Sequence, residues 1–433
     1  MFLALSTMAA AGVLPVDVQT EQFDNGLTVY LAPMDTPGVV SWQVWMDVGT
    51  RNETADSRGL SHLHMYLASA GSRSLDRDER EAQVLLTGST DTALAWEDQT
   101  VYSLVVPAEH LPSIIMIEAN RLMYMAYDDA DLEQTEGAVR GANNRNRANS
   151  DRALLEAFDS LAYTTHPYGH APMGTVEDID SFDDRYDEIS AWYETWYRPE
   201  RARIVVVGDF DPQAVLTQLN LTLGVWEPGV SFPDTVQEPE QTSTRRVHVE
   251  WDKGPVNPKI RMGWRIPGFD PRDPDAAVLA VVEELLSSEV GALHQDLVVE
   301  RALVYSVGSE VDEFTDMHQF KLTADVKHPD DLALVEEAIH AAVVDLAEGV
   351  DPATLELLRD SALARFRLSQ DTPEAVGNTI GTFTYGGRDA SAVEAFYRNF
   401  ANVTPEDVSR VVGEYFVAEH LTVATLSAVA EEE

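Results

Sequence analysis

Residues 59–72 read Gly-Leu-Ser-His-Leu-His-Met-Tyr-Leu-Ala-Ser-Ala-Gly-Ser. On a helix, side chains four positions apart lie one turn apart on a single face. Two histidines at that spacing can hold one zinc ion, and a glutamate just before the second can take a proton from metal-bound water; this is the chemistry of the His-x-x-Glu-His arrangement. Here the first position is His62, the glutamate position is Met65 and the second histidine position is Tyr66. A phenol ligates metal only after losing a proton with a pKa of about 10. A thioether takes no proton from water. His64 does not repair the pair, because helix positions i and i+2 point about 200° apart. Aligning it would also need a two-residue deletion and a compensating insertion before Gly71. Both histidines read as ordinary helix residues with hydrogen-bond partners.

The elements around this helix follow from periodicity and turn chemistry. In the first half, strands are expected at 18–23, 28–32 and 39–48, and Asp24-Asn25-Gly26 is a hairpin turn between the first two. Helices follow at 59–68 and 76–86, strands at 89–96 and 100–106, then helices at 111–127, 129–148 and 152–163. A helix at 188–197, a β-branched strand at 202–207 and a helix from Pro212 close the half. Residues 227–245 are rich in Pro, Glu, Thr and Ser without an apolar period, which predicts a surface linker. The second half repeats the plan. Strands are expected at 247–251, 259–264, 303–311, 318–326 and 421–426, with helices at 274–287, 329–347, 352–368, 373–382 and 405–416. Proline in the first turn of several helices supports their starts. The fold class expected is α+β: two homologous α/β sandwich domains, 1–226 and 246–433, each a mixed, mainly antiparallel sheet packed by helices and joined by the linker 227–245.

Composition narrows the partners. The formal net charge is −44, from 74 acidic and 30 basic residues, so nucleic acid, which needs a basic surface, is disfavoured. The acids are spread along the chain, as in a solvated anionic coat, and attraction of basic peptides is the sharper alternative. No apolar run is long enough for a transmembrane helix. The absence of cysteine removes disulfides and thiolate metal sites. Residues 1–14 are apolar and rich in small residues but lack a basic start. They read equally as a signal remnant, which would place the protein in the periplasm or outside the cell, or as a ragged N-terminus on a cytoplasmic one.

Four segments taken in order resemble the pitrilysin/insulinase family of zinc peptidases. They are Phe23-Asp24-Asn25-Gly26-Leu27-Thr28-Val29; Val48-Gly49-Thr50-Arg51-Asn52-Glu53 leading into Gly59-Leu60-Ser61-His62; Trp196-Tyr197-Arg198-Pro199-Glu200 running into Ile204-Val205-Val206-Val207-Gly208-Asp209; and Glu300-Arg301-Ala302-Leu303-Val304-Tyr305-Ser306-Val307. The resemblance spans nearly the whole chain. It concerns fold, which is separable from activity.

The resemblance also implies where the rest of a site would lie. The family draws its third zinc ligand from a glutamate on a later helix, with a supporting glutamate seven residues earlier. This chain has Glu136 at the earlier place and Asn143 at the ligand place. Amide oxygens suit hard cations better than zinc. Gly88-Ser89-Thr90-Asp91-Thr92-Ala93-Leu94-Ala95 matches the strand whose edge accepts substrate as an added strand, with Thr92 and Ala95 replacing the family's asparagine and threonine. Thr92, Ala93 and Tyr305 are therefore the candidate substrate-binding residues. Tyr305 matches the tyrosine of a carbonyl-polarising Arg/Tyr pair, but Val298 stands in place of the arginine. A strand aromatic with its hydroxyl at the surface is the plainer reading of Tyr305. The loop around His166 and His170 reads as structural, since proline and glycine lie between them, and Tyr385-Gly386-Gly387 reads as a glycine-capped helix end.

The expectation is a non-catalytic family member, with no intact catalytic residue, no metal ligand set and no cofactor, where active relatives use zinc. Its implied role is a companion subunit of a homo- or heterodimer, helping a homologous zinc-bearing chain to form a peptide-binding chamber. The alternatives are a stand-alone assembly subunit and, with least support, a zinc endopeptidase with unusual ligands.

Overall fold

The computed structural model describes residues 12–229, 232 and 236–429, so most of the 1–14 segment and part of the expected linker lie outside the described residues. Val13 and Leu14 are buried, and the Val13 amide donates to Glu394 Oε1 at 2.6 Å.

The first half contains β1 (Gln19–Gln22), β2 (Thr28–Pro33), β3 (Val39–Met46), β4 (Gly71–Ser72), β5 (Leu75–Asp76), β6 (Thr90–Ala95), β7 (Thr100–Pro107) and β8 (Ala202–Gly208). Its helices are α1 (Leu60–Leu67), α2 (Arg77–Thr87), α3 (Leu111–Tyr124), α4 (Asp129–Arg147), α5 (Ser150–Ala162), α6 (Val176–Asp180), α7 (Tyr186–Trp196) and α8 (Pro212–Thr222). The second half contains β9 (Arg245–Trp251), β10 (Lys259–Ile266), β11 (Val304–Val311), β12 (His318–Val326) and β13 (Leu421–Ala428). With them are α9 (Pro274–Ser287), α10 (Leu332–Glu348), α11 (Pro352–Ser369), α12 (Pro373–Phe383), α13 (Ser391–Ala401) and α14 (Pro405–Tyr415).

Two mixed sheets organise the chain, in the orders β1-β2-β8-β3-β7-β6 and β11-β12-β10-β13-β9. Pairing is antiparallel except for β2 with β8 and β9 with β13. Local chemistry explains many boundaries. The first hairpin turns on Gly26, at φ 92°, while the Asn25 amide donates to the Leu223 and Trp226 carbonyls. Helices α8, α9, α11, α12 and α14 each begin with proline behind an Asp or Thr whose side chain accepts a first-turn amide.

Each sheet buries one face on its own helices and offers the other to the opposite half. Trp42, Val44 and Met46 enter the first-half core, while Trp45, Val205 and Val207 join the second-half core. Helix α12 covers this inner face: Gln43 Nε2 donates to Asn378 Oδ1 at 2.9 Å and to the Glu374 carbonyl at 3.2 Å. In return, α5 covers the second sheet, where Leu154, Phe158 and Ala162 pack with Trp251, Ala424 and Leu426. Gly263 on β10 leaves the room that the Phe158 ring fills. The halves therefore exchange a helix.

The structure departs from sequence expectation in places. Helix α3 stops at Tyr124 rather than 127, and the hairpin β4–β5, α13 and a π-helical turn at His294–Glu300 were not expected. Two-residue strands carry no periodicity. The π turn spreads its side chains off the 3.6-residue period that marks a helix.

Candidate functional site

Helix α1 is held rigidly at its start. Gly59 adopts φ 81°, and a β-carbon there would lie 2.6 Å from the Met173 carbonyl oxygen. The Glu53 carboxylate accepts the Gly59 amide at 3.0 Å and the Ser61 amide at 2.8 Å. Burial pushes the Glu53 carboxyl well above the usual carboxylate range, against the pull of those two donors.

The two histidines of α1 face opposite ways. His64 is fully buried; its Nδ1 donates to the Leu60 carbonyl at 2.8 Å, and its ring packs near Trp192 and Tyr197. His62 lies against Tyr66, with ring centroids 5.7 Å apart, and opens onto a cavity of about 540 Å³ between the halves. Burial lowers both imidazoles to about 4, so both are neutral near pH 7. The expected hydrogen-bond partner exists for His64. His62 Nδ1 is buried without one, because that ring faces the cavity rather than the helix's own carbonyls.

Met65, Tyr66, Asn143 and Glu136 are tied into the surrounding structure. Met65 is buried in the first-half core, and half-buried Tyr66 packs at its margin. Asn143 on α4 is buried and donates from Nδ2 to the Gly174 carbonyl at 3.3 Å, leaving Oδ1 unpartnered. Glu136, two turns earlier, pairs with Arg140, which also reaches Asp180 at 2.8 Å. Burial and the neighbouring Asp183 carboxyl raise the Glu136 carboxyl above its ordinary value.

These residues do not fit zinc. Catalytic zinc normally takes three protein ligands. The donors here are one imidazole, one phenol and one amide oxygen, and among the described residues no three His, Cys, Asp or Glu side chains converge on a point that could hold a metal ion. Met65 supplies no general base.

The candidate substrate edge has a different character. Strand β6 pairs with β7 on one side and ends the first sheet on the other. Thr92 is exposed, with Oγ1 donating to the Ser103 carbonyl at 3.4 Å, and Ala93 packs partly against the core. Such an edge can accept another extended chain through main-chain hydrogen bonds. Tyr305 sits on β11, an edge of the second sheet, 58% exposed, with the Lys327 ammonium 5.6 Å from its ring centroid. It is not among the residues lining the cavity that His62 faces. Val298 lies in the π turn and packs half-buried against the second core.

His166 and Tyr168 serve the join between halves. His166 Nε2 lies 3.1 Å from Asp316, Tyr168 donates to Asp98 at 2.5 Å, and Arg51 reaches Asp316 at 2.5 Å. Sequence reasoning missed the polar wall of the cavity, including Glu97, Asp159, Gln319 and Lys321. One signal for it exists. Gln319 and Lys321 alternate with Phe320 and Leu322 along β12, giving an interior strand one polar face.

Two family models match: "Insulinase (Peptidase family M16)" over residues 29–176 and "Peptidase M16 inactive domain" over residues 185–361. The second description attaches to a segment that does not include the altered α1 and α4 positions. Zinc protease PqqE of Helicobacter pylori is 23% identical over 425 residues, covering 95% of this chain and 93% of that one. A probable mitochondrial-processing peptidase subunit beta of Schizosaccharomyces pombe is 21% identical over 424 residues, covering 95% and 91%. The crystal structure of a protease from Helicobacter pylori superposes with a TM-score of 0.89 at 21% identity, covering 95% of this chain and 99% of that one. The chain belongs to the insulinase family, peptidase family M16.

Proposed function

We propose that this chain is a non-catalytic member of its family that binds extended peptide and works beside a zinc-bearing homologous chain. The observation that carries the reading is the fate of four positions at once: Met65 and Tyr66 are packed against the core, Asn143 is bonded to a backbone carbonyl, and Val298 lines a core margin. Each is built into the fold rather than poised over a substrate. The free edge of β6, with Thr92 and Ala93, keeps the means to pair with a peptide backbone. Tyr305 is exposed and able to meet a peptide carbonyl or a partner surface. One similar chain is named as the beta subunit of a processing peptidase, which supports a subunit role.

In this reading the chain supplies chamber wall and binding surface, while hydrolysis belongs to the partner. The division into domains 1–226 and 246–433 around a linker is part of the same proposal. Affinity capture with this chain from its native source tests it. Recovery of a homologous chain with intact His-x-x-Glu-His, and peptidase activity only when the two are mixed, is the expected result. A homodimer with no such partner favours the second reading, a stand-alone assembly subunit.

A further inference from the structure

A smaller cavity lies wholly within the second half. It is lined by α9, the segment after β10, the β11–β12 connection and α13, and its volume is about 80 Å³. Phe269, Ala276, Leu279, Ala280 and Phe396 make its walls largely apolar. Main-chain contact fixes its lip. The Phe269 amide donates to the Phe314 carbonyl at 2.7 Å, and a β-carbon on Gly268 would collide with the Thr315 carbonyl. Ligand sites have this character, apolar walls with a few convergent polar groups, and drug-sized ones reach about 300–1,000 Å³. This one has room for a single small ring.

Two polar groups in it are not used by the fold. His318, at the start of β12, is 1% exposed. Its Nδ1 donates to the Asp316 carbonyl at 3.2 Å, while Nε2 is buried without a hydrogen-bond partner. Leaving such a group unpaired costs about 1–3 kcal/mol. Glu283 on α9 is the second. Its charged neighbours are carboxylates, from Glu284, Glu313, Glu310 and Asp312, and no cation pairs with it among the described residues. The other acids at the cavity are accounted for. Asp273 caps α9, Asp275 takes Arg410 and the Tyr415 hydroxyl, Asp312 takes Lys321 at 2.6 Å, and Glu313 is exposed.

Burial, and after it the surrounding carboxylates, lifts the Glu283 carboxyl to about 8, and burial lowers the His318 imidazole to about 4. At neutral pH the cavity therefore presents one proton donor and one uncharged acceptor.

We infer that this cavity binds a small uncharged ring compound carrying a hydroxyl, such as a phenol, whose hydroxyl donates to His318 Nε2 and accepts from the Glu283 carboxyl while its ring lies against Phe269 and Phe396. A hydroxyl both donates and accepts through a single atom, which suits so small a space. An anion is opposed by the carboxylates around Glu283. An ammonium offers donors only, and would have to displace the proton from Glu283 in apolar surroundings. Such binding needs neither a peptide nor a companion chain.

Ligand-observed NMR titration of the purified full chain at neutral pH, with phenol, toluene, benzylamine and benzoate as probes, tests the inference. Phenol should bind about tenfold tighter than toluene, a difference of ~1.4 kcal/mol. Benzylamine and benzoate should bind more weakly than phenol. His318→Leu and Glu283→Leu should each remove the preference for phenol over toluene. Glu283→Gln, which keeps a donor and an acceptor, should preserve it. Ala280→Leu fills the cavity and should abolish phenol binding. Thermal unfolding shows which variants are folded, and the four probes on the unaltered chain decide the matter even where a leucine variant does not fold. Phenol no tighter than toluene, benzylamine tighter than phenol, or no phenol binding overturns the inference, the last leaving both polar groups to buried water. Phenol binding that Ala280→Leu leaves unchanged lies elsewhere on the chain, and overturns it too.

Discussion

Arg203 on β8 donates from Nε to Asp47 Oδ1 at 3.0 Å, and the other Asp47 oxygen accepts the Gly386 amide at 2.9 Å. The same guanidinium donates to Gln99, Thr384 and the Gly381 carbonyl. One buried cation thus joins the first sheet to the end of α12 in the other half. Removing one partner of a buried pair leaves an uncompensated charge, at a cost of about 3–5 kcal/mol. Arg203→Met should therefore lose stability on that scale in urea unfolding. Arg203→Met/Asp47→Leu should recover part of it.

Two glycines of α12 lie at the exchanged interface. A β-carbon on Gly377 would sit 2.7 Å from the Gln43 amide, and one on Gly381 would fall within the Trp45 indole. Gly381→Ala should destabilise by about 1–3 kcal/mol through overpacking. Gly413 in α14 has open space where its β-carbon would go. Gly413→Ala should instead stabilise by about 0.5–1 kcal/mol, the ordinary helix preference for alanine. Denaturant midpoints of the two variants should move in opposite directions.

Stability should depend on pH in a defined sense. Glu97 and Asp159 are raised to about 7 and Glu283 to about 8, each mainly by burial. Folded, these carboxyls hold protons more tightly than when unfolded. Their contribution is complete below the ordinary carboxylate pKa of about 4 and is lost as pH rises through 7 to 8. His62, His64 and His318 are lowered to about 4, so they cost stability as pH falls from about 6.5 to 4. The two sets oppose each other in the acid range, and only the carboxyls act above it. Melting temperature should fall between about pH 6.5 and 8.5, and Glu283→Gln should flatten the fall. A rise over that interval would contradict the assignment.

The His62 imidazole has no ligand set to join, so His62→Ala should leave partner-dependent peptidase activity and melting temperature nearly unchanged. Loss of that activity on assay, with folding intact, would mean the ring takes part in chemistry.

The fold was legible because its boundaries are written in local chemistry: Asn25-Gly26 for the hairpin, and Asp-Pro or Thr-Pro at helix starts such as Asp273-Pro274 and Thr404-Pro405. The assignment of Met65, Tyr66, Asn143 and Val298 to altered site positions rests on register alone. The helix exchange was not, because Gly263 and Phe158 must meet across the chain and nothing local to either announces it. The cavity wall was hidden for the same reason. Glu97 lies in the turn between β6 and β7, Asp159 rides a helix, and Gln319 and Lys321 lie on a strand of the other half, so the complete wall exists only after the halves dock.

We propose that this fold no longer runs zinc chemistry. Metal analysis of the purified chain after zinc loading and desalting, paired with a peptide-cleavage assay with and without chelator, addresses it directly. The chain alone should retain no stoichiometric zinc and show no chelator-sensitive cleavage. One zinc per chain together with cleavage abolished by chelator would contradict it.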